Sequence, residues 1–198
     1  MAIRKVGVLG CGLMGSGIAE IAAKAGFETV VREVSDALLE KGMGRIRGSL
    51  AKAVDKGKMT AEERDVVLGR IQGTTGFELM ADCDLVVEAI VENLEEKRRT
   101  FGALAGIVKP EAIFASNTSS LTVTQLAAVS GRPERTIGLH FFNPVPVMKL
   151  VEVVRTILSS EEAIADAMAF CRALGKEPIA RRDNSGFIVN RLLVPYLL

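Results

Sequence analysis

The chain carries a single imidazole, His140, set in an apolar run between Leu139 and the pair Phe141 and Phe142. A lone histidine in such a setting is more often a satisfied core residue than a working acid or base. Glu152 interrupts a second apolar run twelve positions further on, with the turn-forming stretch Asn143–Pro146 between them. That spacing allows His140 and Glu152 to face each other on adjacent antiparallel strands. A half-buried carboxylate against the ring would fix its tautomer and stabilise the imidazolium. An alcohol-oxidising base needs this as it takes a hydroxyl proton while a hydride departs.

A second constellation lies near the N-terminus, where Gly10-Cys11-Gly12-Leu13-Met14-Gly15 has the spacing G-x-G-x-x-G. Alone the string says little. Here it follows the short apolar run Val6–Leu9 and opens a helical pattern, Ile18 to Ala25, that Gly26 stops. Glu33 then stands 18 positions after Gly15, at the end of the next apolar run, Thr29–Val31. Together these form the dinucleotide fingerprint. Gly10 permits the tight turn, Gly12 lets the backbone approach a pyrophosphate, and Gly15 lets helix and strand pack closely. The helix N-terminus supplies N–H groups and partial positive charge for the phosphates. A carboxylate at Glu33 accepts from ribose hydroxyls and repels a 2′-phosphate, which favours NAD. Arg32 beside it could turn toward such a phosphate, so NADP stays open.

These residues require strands that end where they stand. Asp84–Glu88, Ile113–Ala115, Thr136–Phe142 and Met148–Val153 read as strands. Helical patterns run from Ser35 or Asp36 to about Lys56, from a capping box at Thr60 and Glu63, over Leu94–Leu104 and over Glu161–Leu174. The alternation predicts an α/β fold, a Rossmann-type, doubly wound and mostly parallel sheet. Ligands of such sheets bind beyond the carboxyl ends of the strands, where Glu88–Glu92, Ser116–Ser120 and His140–Asn143 cluster. Ser119 and Ser120 could equally cap a helix after Leu121. The run Glu92–Arg99 has the composition of a solvated helix face. Ser49, Lys52, Lys56 and Lys58 make a basic stretch, and Asn190 could be a cap or a buried ligand group. The segment from Gly186 reads as the start of a helix. Its apolar end, Leu192–Leu198, suggests a chain that has been cut or that expects a partner.

Composition narrows the function classes. The 198 residues carry 25 Lys and Arg against 24 Asp and Glu, a net charge of +1. No global field draws nucleic acid or an anionic membrane. Cys11, Cys83 and Cys171 form neither a zinc pattern nor a disulfide framework, so a reducing cytoplasm is expected. Met1–Gly17 is broken by Arg4, Lys5 and glycines, unlike a signal peptide or membrane span.

Four blocks, Val87–Asn93, Phe114–Leu121, Gly138–Val153 and Ser185–Arg191, resemble in sequence and order the signature stretches of the 3-hydroxyacyl-CoA dehydrogenase family. Within it the chain is similar to the 3-hydroxybutyryl-CoA type. The resemblance implies reversible oxidation of an (S)-3-hydroxyacyl-CoA to the 3-ketoacyl-CoA. It makes His140 the base, Glu152 its orienting partner, and Ser119 and Asn190 the groups that hold substrate oxygens. It places Gly10 through Gly15, Glu33, Glu92, Lys97, Ser119 and Asn143 at NAD, and Ser49 and Lys56, with Ser119, at the acyl-CoA. It further implies an NAD-binding domain over 1–185, the opening of a helical dimerisation domain over 186–198, and a homodimer. Glu33 departs from the aspartate that many members carry. Two other readings share the fold: a gulonate-type sugar-acid dehydrogenase and a non-catalytic NAD-binding structural relative.

Overall fold

The structure is a computed structural model and describes residues 2–183. At its centre lie β1 (Lys5–Leu9) and β4 (Leu85–Glu88), buried along nearly their whole length. Beside β1 come β2 (Glu28–Arg32) and β3 (Ile71–Thr74). Beside β4 come β5 (Ile113–Ser116), β6 (Thr136–Phe141), β7 (Leu150–Arg155) and β8 (Glu177–Arg182). The eight strands form one sheet in the order β3-β2-β1-β4-β5-β6-β7-β8. Every neighbouring pair is parallel except β6 with β7. The expected mostly parallel, doubly wound sheet is the one observed.

Helices cover both faces, which is why the central strands carry continuous apolar runs. They are α1 (Leu13–Lys24), α2 (Asp36–Asp55), α3 (Ala61–Gly69), α4 (Leu94–Ala105), α5 (Val123–Ala127) and α6 (Glu161–Ala173). Four start on side-chain caps that satisfy otherwise orphaned N–H groups: Ser35, Thr60 with Glu63 in a full capping box, Asn93 and Ser160. One apolar layer gathers Ile18, Ile46, Leu50, Val87, Leu139 and Phe170. The opposite layer gathers Leu9, Val86, Phe101, Leu104, Phe114 and Leu126. Alternation along β4, with Leu85 and Val87 on one side and Val86 on the other, separates the layers.

Two elements have no counterpart in the sequence reading. The edge strands β3 and β8 are short on apolar residues and largely exposed, so no hydrophobic run announces them. The helix anticipated after Leu121 is α5, five residues long. Strand β7 begins at Leu150 rather than Met148, because Asn143–Met148 forms a turn in which Val147 and Met148 both donate to Pro144 O. The boundary near residue 185 and the helix expected from Gly186 lie outside the described residues.

At the opposite end of the strands from the polar clusters, Asp84 joins three segments. Its carboxylate accepts from Arg4 N at 2.6 Å, Lys5 N at 2.9 Å and the Lys109 ammonium. Burial alone would push this carboxyl up. The bonds from Lys109, Lys5 and Arg4 outweigh it and hold the group below the usual carboxylate range. A lowered folded value makes these bonds stabilising above the unfolded pKa of about 3.9, and the contribution disappears as pH falls through the folded value. Asp84→Asn should cost about 1–2 kcal/mol in denaturant unfolding at neutral pH, discounted for the part-exposed Lys109. The gap to wild type should close under acid; a constant gap would assign the effect to shape rather than charge.

Candidate active site

The glycine turn after β1 has the geometry of a phosphate cradle. Gly10 adopts a φ of 88°, and a Cβ there would lie 2.7 Å from Ala89 O. A Cβ on Gly15 would lie 1.8 Å from Gly10 O, so only glycine lets α1 close on β1. A Cβ on Gly12 would meet nothing within 4 Å. The N-terminus of α1 has no side-chain cap and no acid in its first turn. An open approach to uncapped N–H groups fits a pyrophosphate. Glu33 is anchored at the rim, accepting from Cys11 N at 2.7 Å and Val34 N at 2.9 Å. Both carboxylate oxygens are thereby held in place by backbone N–H groups.

Two neighbours of the cradle differ from a simple reading of the motif. Cys11 packs so tightly under α2 that a Cβ on Gly42 would lie 2.2 Å from its Sγ. Burial, reinforced by the Glu33 charge, pushes the thiol up to about 11, so Cys11 contributes packing and its backbone rather than a nucleophile. Arg32 is engaged on the side of β3. Its Nε donates to Thr75 O at 3.2 Å, and its guanidinium sits 4.4 Å from the Phe77 ring centroid.

Beyond the carboxyl ends of β4, β5 and β6, Met14, Glu92, Lys97, Ser119, His140 and Asn143 line one cavity of about 430 Å³. The antiparallel ladder sets His140 directly opposite Glu152. Nδ1 and the Glu152 carboxylate are 2.7 Å apart, and the residues are 6% and 1% exposed. With Nδ1–H directed at the carboxylate, the ring's lone pair lies on Nε2. Asn117, which sequence reasoning passed over, accepts from Phe141 N at 2.9 Å and ties the end of β5 to the strand that carries His140.

Lys97 corrects the expectation of a solvated face over Glu92–Arg99. It is 1% exposed and pairs with Glu88 at 2.6 Å and Glu92 at 3.1 Å. Glu88, fully buried, also accepts from Ile90 N at 2.7 Å and Ser116 Oγ at 2.6 Å. The signal was present in the spacing: Lys97, Phe101 and Leu104 share the buried stripe of α4. Glu92 accepts from Thr118 Oγ1 at 2.5 Å, Ser119 N at 3.1 Å and Ser120 Oγ at 3.2 Å. Burial raises its carboxyl, but Thr118 and Lys97 outweigh burial and hold it below its ordinary value. Ser119 and Ser120 thus belong to the site's loop, and neither is the N-cap residue of α5. Thr122 is the N-cap residue of α5, and Asp183 accepts from Val123 N and Thr124 N.

A second, larger space of about 650 Å³ runs along α2, facing Gly17 and Asn143–Pro146. Ser49 lines it together with Lys41, Arg45 and Lys52. These four positions share one helical face, and only Ser49 and Lys52 had been singled out in the sequence. Lys56 does not line this groove; it is the exposed C-cap residue one turn beyond Lys52. Asn190 lies outside the described residues.

Comparison with known proteins agrees with this geometry. The model of the 3-hydroxyacyl-CoA dehydrogenase NAD-binding domain matches residues 5–184. A 3-hydroxybutyryl-CoA dehydrogenase of Mycobacterium tuberculosis is 49% identical over 199 residues, covering 100% of this chain and 70% of that protein. The crystal structure of M. tuberculosis FadB2 superposes with a TM-score of 0.98 at 49% identity, over 100% of this chain and 70% of that one. That of (S)-3-hydroxybutyryl-CoA dehydrogenase from Ralstonia eutropha superposes with a TM-score of 0.97 at 42% identity, over 99% and 69%. With a dinucleotide cradle, a histidine and carboxylate opposed across a strand pair, and a family match over nearly the whole chain, the protein belongs to the 3-hydroxyacyl-CoA dehydrogenase family through its NAD-binding domain.

Proposed function

We propose that the protein reversibly oxidises an (S)-3-hydroxyacyl-CoA, 3-hydroxybutyryl-CoA foremost, to the 3-ketoacyl-CoA. The observation that carries this reading is the buried His140–Glu152 pair at 2.7 Å, on the wall of a cavity continuous in sequence with the cradle through Met14. NAD, when bound, supplies the hydride acceptor. Glu152 holds Nδ1–H, so Nε2 is the atom that takes the substrate's hydroxyl proton. The imidazolium then keeps a carboxylate beside it in a site shielded from water, where the attraction is strong. In reduction the same nitrogen returns the proton. Ser119 and Asn190 hold substrate oxygens, and Glu92, Lys97 and Asn143 position the dinucleotide.

The groove along α2 supports an acyl-CoA over a sugar acid. Lys41, Arg45 and Lys52 offer three cations along one groove, and CoA is rich in phosphate. Lys56, one turn on, extends the same basic face. The named relatives act in the same direction. Engagement of Arg32 with Phe77 and Thr75 leaves Glu33 unopposed at the ribose, which supports NAD over NADP. The three free, buried cysteines support a cytoplasmic setting, and no helix of the described residues is long and apolar enough to cross a membrane. The full-length protein works as a homodimer through the segment that follows residue 185.

Adding acetoacetyl-CoA to the full-length protein with NADH should consume the NADH absorbance. His140→Gln should lower kcat by roughly 10²–10⁴-fold with NADH affinity retained; full turnover in that variant would remove His140 as the base. NADPH should be used at least about tenfold less efficiently than NADH, and Glu33→Ser should narrow that ratio. A ratio unchanged by the substitution would show that Glu33 does not read the ribose. Sedimentation of the full-length protein should give twice the chain mass at micromolar concentration, and a monomer throughout the range would withdraw the dimer.

A further inference from the structure

Lys176 lies between α6 and β8, outside every residue so far given a chemical role, and is 8% exposed. Its ammonium donates to two backbone carbonyls, Val145 O at 2.6 Å and Met148 O at 2.8 Å. Both belong to the turn that joins β6 to β7. Among the described residues no carboxylate pairs with it, and burial pushes it below the usual lysine range. A buried cation with only neutral acceptors is a poor stabiliser, since two carbonyls offset its desolvation only in part. An apolar side chain would fill the space at less cost. What the cation adds is a fixed separation between two carbonyls three residues apart.

The turn it holds is the wall common to the two spaces of the site. Asn143 lines both the cavity at His140 and the groove along α2, while Pro144, Val145 and Pro146 line the groove. Most of the turn is exposed and has little packing of its own. Val145 is the exception, seated where a Cβ on Gly17 would come within 2.8 Å. The flanking catalytic pair is held independently, by the β6–β7 ladder. Loosening the turn therefore moves a wall without moving the base.

We propose that Lys176 is a positioning residue for both ligands: by clamping the Val145 and Met148 carbonyls it sets the wall that the dinucleotide cavity and the acyl-CoA groove share. This rests on the ligand assignment proposed above. In the full-length enzyme, Lys176→Met should raise KM for NADH and for acetoacetyl-CoA together, by about tenfold, the equivalent of one lost charge-assisted bond. The kcat should stay within about threefold and the pH profile of kcat should not move, because His140 and Glu152 keep their ladder. Lys176→Gln, which retains donors on a shorter arm, should fall between. Folded variants that keep both KM values within about twofold of wild type, or that lose only kcat, overturn the proposal. Failure of both variants to fold also overturns it, by showing a purely structural role. Fluorescence titration of NADH separates the two readings. Wild type that binds NADH without turning over the ester overturns the substrate assignment, while the variant's NADH affinity still tests the clamp.

Discussion

Among the described residues the pairing of β6 with β7 is the one antiparallel contact in the sheet, and the opposition of His140 and Glu152 depends on its register. In a parallel sheet, strands run the same way and the carboxyl ends all reach the ligand side. A residue from the far end of a strand cannot face the site there. Reversing β7 brings its first residues to the same edge as the last residues of β6, so Glu152 stands across from His140. Side chains alternate along a strand, so a slip of one position would turn the carboxylate to the other face. The ladder and the buried contact between the ring and the carboxylate together exclude that slip. The His140–Glu152 pair is therefore a consequence of strand direction before it is one of side-chain identity.

Around that pair the fold solves a second problem, the burial of charge. Glu88 and Lys97 are both almost wholly removed from water, which is unfavourable unless each group is paired and hydrogen-bonded. Both carboxylate oxygens of Glu88 are satisfied, one by Ile90 N and Lys97, the other by Ser116. Lys97 extends the pairing to Glu92, and Glu92 organises the Thr118–Ser120 loop. A single connected network thus fixes α4, the ends of β4 and β5, and the loop that carries Ser119.

Much of this was legible in the residues. The cradle glycines, Glu33 and the opposition of His140 to Glu152 follow from spacing, because backbone closeness and strand periodicity leave direct marks on sequence. The mostly parallel sheet followed from alternation of runs. Less legible were features set by tertiary contact. Lys97 looked solvated because its neighbours Glu95, Glu96, Arg98 and Arg99 are, while its own burial comes from the helix face it shares with Phe101. Edge strands β3 and β8 carry no apolar signature, since only pairing holds them. The freedom of Arg32 could not be judged until Phe77, more than forty residues away, was found beneath it. Lys41 and Arg45 join Ser49 and Lys52 only because α2 presents that face to the turn after β6.

The sulfur in the phosphate cradle has a consequence for how the protein ages. Cys11 stands between two glycines whose backbone must meet a pyrophosphate, so any adduct on its sulfur would obstruct the cradle. Its thiol is pushed up to about 11, and those of Cys83 and Cys171 to about 12. Oxidants and electrophiles attack the thiolate, the form that burial disfavours at Cys11. Tight packing beneath Gly42 adds a steric barrier to the electrostatic one. A residue of a reactive type within the glycine turn is thereby kept buried and in its less reactive, protonated form.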